Sequence, residues 1–239
     1  MQRPDPVVTA RALVAELFPS ARAAWLGGSV ASGTATATSD LDVTVLLAEG
    51  GARRESLVRD GWPVELFVHT TATVRHYVAK DAERRRPSMA RLVGAALPLL
   101  PAQDDALARE CAAVVAAGPP PLEEAERDLW RYRLTDLVDD LRGGGAPAVV
   151  GAIAVATWQA AVELLLAVEG RWSGTGKWLA RELEAYDAPL AGRFQDALAA
   201  GVAGDVAALA GLAGDVLDRA GGPLWVGYRA GGEPVRSVE

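Results

Sequence analysis

The chain has 239 residues and a formal net charge of −7, with 23% charged and 50% hydrophobic residues. That is enough chain for one large domain or two modest ones with buried cores. The acidic balance argues against a protein that grips nucleic acid through its phosphates, which calls for a positive field. No run reaches the ~18 uninterrupted apolar residues that a membrane span needs, Met1 to Asp5 lack the pattern of a secretory signal, and the single Cys111 excludes an internal disulfide. These features point to the cytoplasm.

In chain order, Val7 to Phe18 reads as an amphipathic helix ended by Pro19, and Arg22 to Leu26 as a short strand. A short helical stretch, Val30 to Ser32, follows the Gly28-Ser29 pair. Leu41 to Leu47 (LDVTVLL) is β-branched and apolar, the texture of a buried strand. Arg53 to Arg59 and Trp62 to His69 flank Asp60-Gly61, a strong hairpin signal because both turn positions need positive φ. Thr70 to Arg84 is a helix, with Thr70 or Thr71 as its cap. The Arg84-Arg85-Arg86 cluster reads as a solvated helix end, and His69 and His76 lack metal-site spacing and read as structural.

Gly118-Pro119-Pro120-Pro121 interrupts any helix and favours an extended linker, which divides the chain into domains 1–118 and 119–239. Beyond it the texture is helical. Helices are expected at Leu122–Leu141, stopped by three glycines, and from Pro147 to about Glu169. Others are expected at Thr175–Tyr186, Pro189–Ala200 and Asp205–Ala220, and the glycine-rich stretch from Gly221 to Glu239 is expected to be loose. The fold class is therefore α+β: a mixed sheet flanked by helices, then an all-helical bundle.

The chemistry concentrates in Leu26 to Leu47. Ten residues separate Ser29 from Asp40, and Asp40-Leu41-Asp42 opens a strand. Residues i and i+2 of a strand project from one face, so the two carboxylates lie side by side. Adjacent carboxylates repel unless a cation lies between them. Mg²⁺ suits the place, since it takes oxygen ligands and shares itself with substrate phosphates. The small residues Gly28 and Ser29, between a strand and a short helix, let backbone amides approach an anion.

Gly-Ser, a spacer and Asp-hydrophobic-Asp together resemble the signature of the nucleotidyltransferase superfamily, over about residues 20 to 100. That superfamily includes the aminoglycoside and lincosamide nucleotidyltransferases, the tRNA nucleotidyltransferases and the small MNT antitoxins. The matching positions are Gly28, Ser29, Asp40 and Asp42. The family carries a third carboxylate on a neighbouring strand, and Glu65, set among apolar residues, fills that place with a longer arm than the commoner aspartate.

The resemblance implies a catalytic site of Asp40, Asp42 and Glu65 holding Mg²⁺, with Gly28 and Ser29 on the terminal phosphates. It implies an NTP donor (ATP), transfer of AMP, release of pyrophosphate, and a hydroxylated acceptor such as an aminoglycoside-like antibiotic. It implies a helical domain that closes the cleft and shapes the acceptor site. There Asp136, Asp139 and Asp140 share a helix face, where they either bind a cationic acceptor or are simply solvated. Gly174-Thr175-Gly176-Lys177 is not a P-loop, because Arg171 and Trp178 stand at two required positions; Lys177 either reaches the triphosphate or is a surface lysine between tryptophans. Glu163, in an apolar helix, is either a general base or a structural glutamate. Protein adenylylation in the manner of MNT antitoxins, action on tRNA, and a non-catalytic nucleotide-binding role stay open.

Overall fold

The computed structural model describes residues 3–100 and 105–229. They fall into two compact units, Met1–Pro119 and Pro120–Glu239.

In the first unit, helix α1 (Pro6–Leu17) begins where Asp5 accepts a hydrogen bond from the Val8 amide and Pro6 presets the first turn. Strand β1 (Ala23–Leu26), the short helix α2 (Gly28–Ala31) and strand β2 (Leu41–Leu46) follow. Strands β3 (Arg53–Arg59) and β4 (Trp62–His69) form the hairpin that Asp60-Gly61 announces, with φ of 50° and 80° at the two turn residues. Helix α3 (Thr71–Glu83) is capped by Thr70, which accepts from the Thr73 amide while the Thr73 hydroxyl accepts from the Thr70 amide. Helix α4 (Ser88–Gly94), strand β5 (Leu97–Pro98) and helix α5 (Asp105–Ala117) complete the unit. Neither α4 nor β5 has a periodic pattern long enough to stand out in sequence.

The sheet order is β3-β4-β2-β1-β5, antiparallel except for the parallel pair β2–β4. Alternation along the strands gives it two different faces. One face, with Ala24, Leu26, Val43, Val45, Val64, Leu66 and Val68, packs with Ala10, Leu13 and Val14 of α1. The other carries Ala23, Trp25 and Leu46 against Val74 of α3, Met89 and Val93 of α4, and Leu107 and Cys111 of α5. Arg85 corrects the reading of a solvated arginine cluster. Arg84 is exposed, but Arg85 is 3% exposed with φ 57°, so the chain turns there and carries the side chain inward.

The second unit contains α6 (Glu124–Gly143), α7 (Pro147–Val168), α8 (Lys177–Tyr186), α9 (Ala188–Val202) and α10 (Ala207–Ala220). Asp187 ends α8 and starts α9, accepting from the Leu190 amide. Helix α7 is apolar and long enough to cross a membrane by length and composition. Here it is the central helix of the bundle, packed on α6, α8, α9 and α10. Its Leu164, Leu165 and Leu166 join Leu134, Leu141, Leu179 and Phe194 in one core. Each fully buried side chain of this size contributes about 1.5–3 kcal/mol.

The segment after α10 is not loose where it is described. Arg131 donates to the carbonyls of Gly221 (2.7 Å) and Gly222 (2.8 Å), and the Leu224 amide donates to Thr135 (3.0 Å). Trp225 and Tyr228 stack on Tyr132 at centroid distances of 5.2 and 4.3 Å. The aromatic residues and the half-buried Arg131 anchor offset the flexibility of the glycines; the remainder, 230–239, lies outside the described residues.

Candidate active site

The register of the parallel pair places Asp42 directly beside Glu65. Both project from the face that α3, α4 and α5 cover, Asp42 near the start of β2 and Glu65 midway along β4, and both are half-buried. Asp40 lies just before β2 and is also half-buried. Carboxylate oxygens of Asp40, Asp42 and Glu65 all lie within 4.8 Å of one another. An all-oxygen donor set at this spacing, carrying three negative charges, fits a hard divalent cation.

The Gly27-Gly28-Ser29 turn is built against this cluster. The Gly27 amide donates to the Asp42 carbonyl at 2.8 Å. Gly28 has φ 65°, and a Cβ there would overlap the carboxylate of Asp42. Only glycine lets the turn close on that carboxylate. Ser29 is 5% exposed and donates from its hydroxyl to Ser39 Oγ at 3.0 Å; Ser39 Oγ also accepts from the Thr36 amide at 2.8 Å. The two ends of the spacer between the motif halves are thereby tied together, which places Asp40 next to the turn.

Residues 9–87 match the model of the nucleotidyltransferase domain family. This segment is a nucleotidyltransferase domain. Among solved structures, a nucleotidyltransferase-like protein from Exiguobacterium sibiricum 255-15 aligns over 91% of this chain and 77% of its own, at 12% identity and a TM-score of 0.44. No curated protein matches the chain.

Sequence reasoning missed one charged residue beside the carboxylate cluster. Arg54, on the edge strand β3, donates to both carboxylate oxygens of Glu65 through one terminal nitrogen. Its guanidinium also lies 5.2 Å from the centre of the Phe67 ring. The hydrogen bond to Glu65 holds the Arg54 guanidinium above its ordinary pKa; partial desolvation opposes this, and the charges of Glu65, Asp42 and Asp40 add to it. A signal was present in the sequence. The Asp60-Gly61 turn fixes the hairpin register, pairing Arg54 with Phe67 and Ser56 with Glu65. Arg54 and Glu65 are therefore diagonal neighbours on one face.

Of the remaining sequence candidates, His69 is buried, with its neutral form favoured by burial, and its Nδ1 lies 3.1 Å from Thr73 Oγ1. His76 is exposed. Lys177, Asp136, Asp140 and Glu163 belong to the second unit. Lys177 is exposed at the first position of α8, after Gly176 with φ 52°. Asp136, Asp139 and Asp140 are exposed on α6, and Asp139 lies 4.0 Å from Arg142. Glu163 is half-buried and engaged.

Proposed function

We propose that the nucleotidyltransferase domain moves a nucleoside monophosphate, AMP from ATP, to a hydroxyl of a small molecule, with Mg²⁺ as its metal. The observation that carries this reading is the convergence of Asp40, Asp42 and Glu65 beside the Gly28-Ser29 turn. In this reading Asp40 and Asp42 hold Mg²⁺ and Glu65 completes the site. Bound there, the metal supplies neutralisation of charge on the α-phosphate and the departing pyrophosphate.

The chain's own residues do the rest. The Gly28 amide and the Ser29 hydroxyl cradle the terminal phosphates, which requires the Ser29 hydroxyl to turn from Ser39. The acceptor oxygen attacks the α-phosphorus, the bond to the bridging oxygen breaks, and pyrophosphate leaves. The acceptor's proton passes to Glu65 or through it to water. Glu65, at the β4 side, lies across Asp42 from the phosphate turn at the β1 side, so donor and acceptor approach from opposite flanks.

A cavity of about 370 Å³ adjoins that flank, lined by Arg54, Phe67, His69, Tyr77, Asp81 and Met89 among others. Its size and mostly apolar walls suit part of a small molecule. This favours a small acceptor over a protein or tRNA, as does the net charge of −7 against tRNA.

The test is transfer of label from ATP carrying a labelled α-phosphate into a pool of small hydroxylated molecules. The wild type is expected to form a labelled small product only with Mg²⁺, and Asp40→Asn and Asp42→Asn to form none. Full transfer by both variants contradicts the proposal. A labelled protein band in place of a small product moves it to protein adenylylation.

A further inference from the structure

Three carboxylates within 4.8 Å carry three negative charges, and the structure supplies one of the positive charges that hold them together. Arg54 donates to both oxygens of Glu65, so the third carboxylate is engaged by the protein itself. A carboxylate has lone pairs to spare for a metal beside an arginine. Charge is the obstacle, because a divalent cation drawn in by Asp40, Asp42 and Glu65 arrives within a few ångströms of a guanidinium, and like charges this close repel.

Arg54 is built to yield. It stands on β3, the edge strand of the sheet, and its side chain is 60% exposed. The neighbouring Arg53 is turned to Glu55 at 2.6 Å and does not share the Glu65 contact. In its contact with Glu65 the Arg54 guanidinium also lies over the Phe67 ring, beside the cavity that both residues line, so the ring can keep hold of it when Glu65 lets go. A guanidinium also binds phosphate oxygens readily, through paired N–H groups.

Resting on the metal-site reading above, we infer that Arg54 is the positioning residue of the third carboxylate: it competes with divalent metal for Glu65 and releases it when a triphosphate arrives. Metal alone then binds weakly, and metal with nucleotide binds well. The idle site stays compact with part of its charge offset, and Glu65 becomes available to an acceptor proton only when the donor is present.

The experiment is Mn²⁺ binding to the full chain without nucleotide, followed by the loss of free Mn²⁺ signal in electron paramagnetic resonance. Arg54→Gln is expected to bind Mn²⁺ roughly tenfold more tightly than the wild type, the scale of a freed carboxylate together with one removed neighbouring charge. Arg54→Lys, which keeps the charge, is expected to stay within about threefold of the wild type. In a Glu65→Gln background, Arg54→Gln is expected to tighten Mn²⁺ binding only about threefold, since the contested carboxylate is gone and the repulsion alone is left.

Equal or weaker binding by Arg54→Gln overturns the inference, as does Arg54→Lys behaving like Arg54→Gln, or an undiminished effect in the Glu65→Gln background. If the wild type and Arg54→Gln bind no Mn²⁺, the metal-site reading falls and the inference with it. If they bind equally, only the inference falls. Matching melting curves for all five proteins tie any difference to the site.

Discussion

The two units differ in how they gather charge. In the helical unit the core is apolar apart from hydroxyls such as that of Thr157, Glu163 is half-buried on α7, and Asp136, Asp139 and Asp140 stay at the surface. In the first unit Asp42 and Glu65 sit inside strands whose neighbours Leu41, Val43, Val64 and Leu66 are 1% exposed or less. Carboxylates so placed, and so close to Asp40, cost stability unless a cation meets them. A helix bundle can be explained by its packing alone. A sheet that concentrates like charges on two adjacent strands needs a function to explain it.

Exchanging one residue in each unit should expose this contrast. Asp42→Asn is expected to lower nucleotidyl transfer by roughly 10³-fold or more, leaving no labelled product above background, the scale of several kcal/mol of lost charge stabilisation. Its melting temperature without metal should be unchanged or slightly raised, because a repelling charge is gone. In the second unit, Leu165→Ala should do the reverse to stability, costing about 2–5 kcal/mol in denaturant unfolding. A destabilised Asp42→Asn would mean that the carboxylate is structural and the contrast false.

Gly28 belongs to both accounts. Gly28→Ala is expected to cost about 1–3 kcal/mol through its positive φ and to displace the Asp42 carboxylate, so transfer should fall with stability. Unfolding curves and a transfer assay on the same preparation check both. Arg131→Ala should cost about 1–2 kcal/mol and leave the sheet site untouched, with a red shift in tryptophan emission as Trp225 leaves Tyr132.

The smallest effect is one of pH. Burial favours neutral His69, so its folded pKa lies below the ordinary 6.5. Below pH 6.5 the unfolded chain takes up a proton that the folded chain resists, and stability is lost as the pH falls. Melting curves from pH 7 to 5 should show a steeper decline for the wild type than for His69→Asn.

The sequence made these differences legible unevenly. Asp60-Gly61 specified its hairpin to the residue, because a two-residue turn with two positive φ angles fixes the register. The helix at Thr70 was equally plain from its capping hydroxyls. Helix α4 and strand β5 were not, being held by packing on β1 and α5 and not by local pattern. The Asp40–Asp42 pair was legible because strand periodicity alone puts i and i+2 together. The placement of Glu65 beside Asp42 needed the parallel register of β2 and β4, and Arg54 needed the hairpin register carried one step further. The anchored segment from Gly221 to Tyr228 was missed because its glycines signal freedom, while its anchors, Arg131, Tyr132 and Thr135, lie some 90 residues earlier.

The central claim, that three converging carboxylates and a glycine turn form a metal–nucleotide site, is tested most directly without any acceptor. The measurement is calorimetric binding of a non-hydrolysable ATP analogue with and without Mg²⁺, to the wild type and to Asp42→Asn. The account expects Mg²⁺ to strengthen wild-type binding at least tenfold and to have no effect on Asp42→Asn. Equal binding by both proteins, or binding indifferent to Mg²⁺ in the wild type, would contradict it.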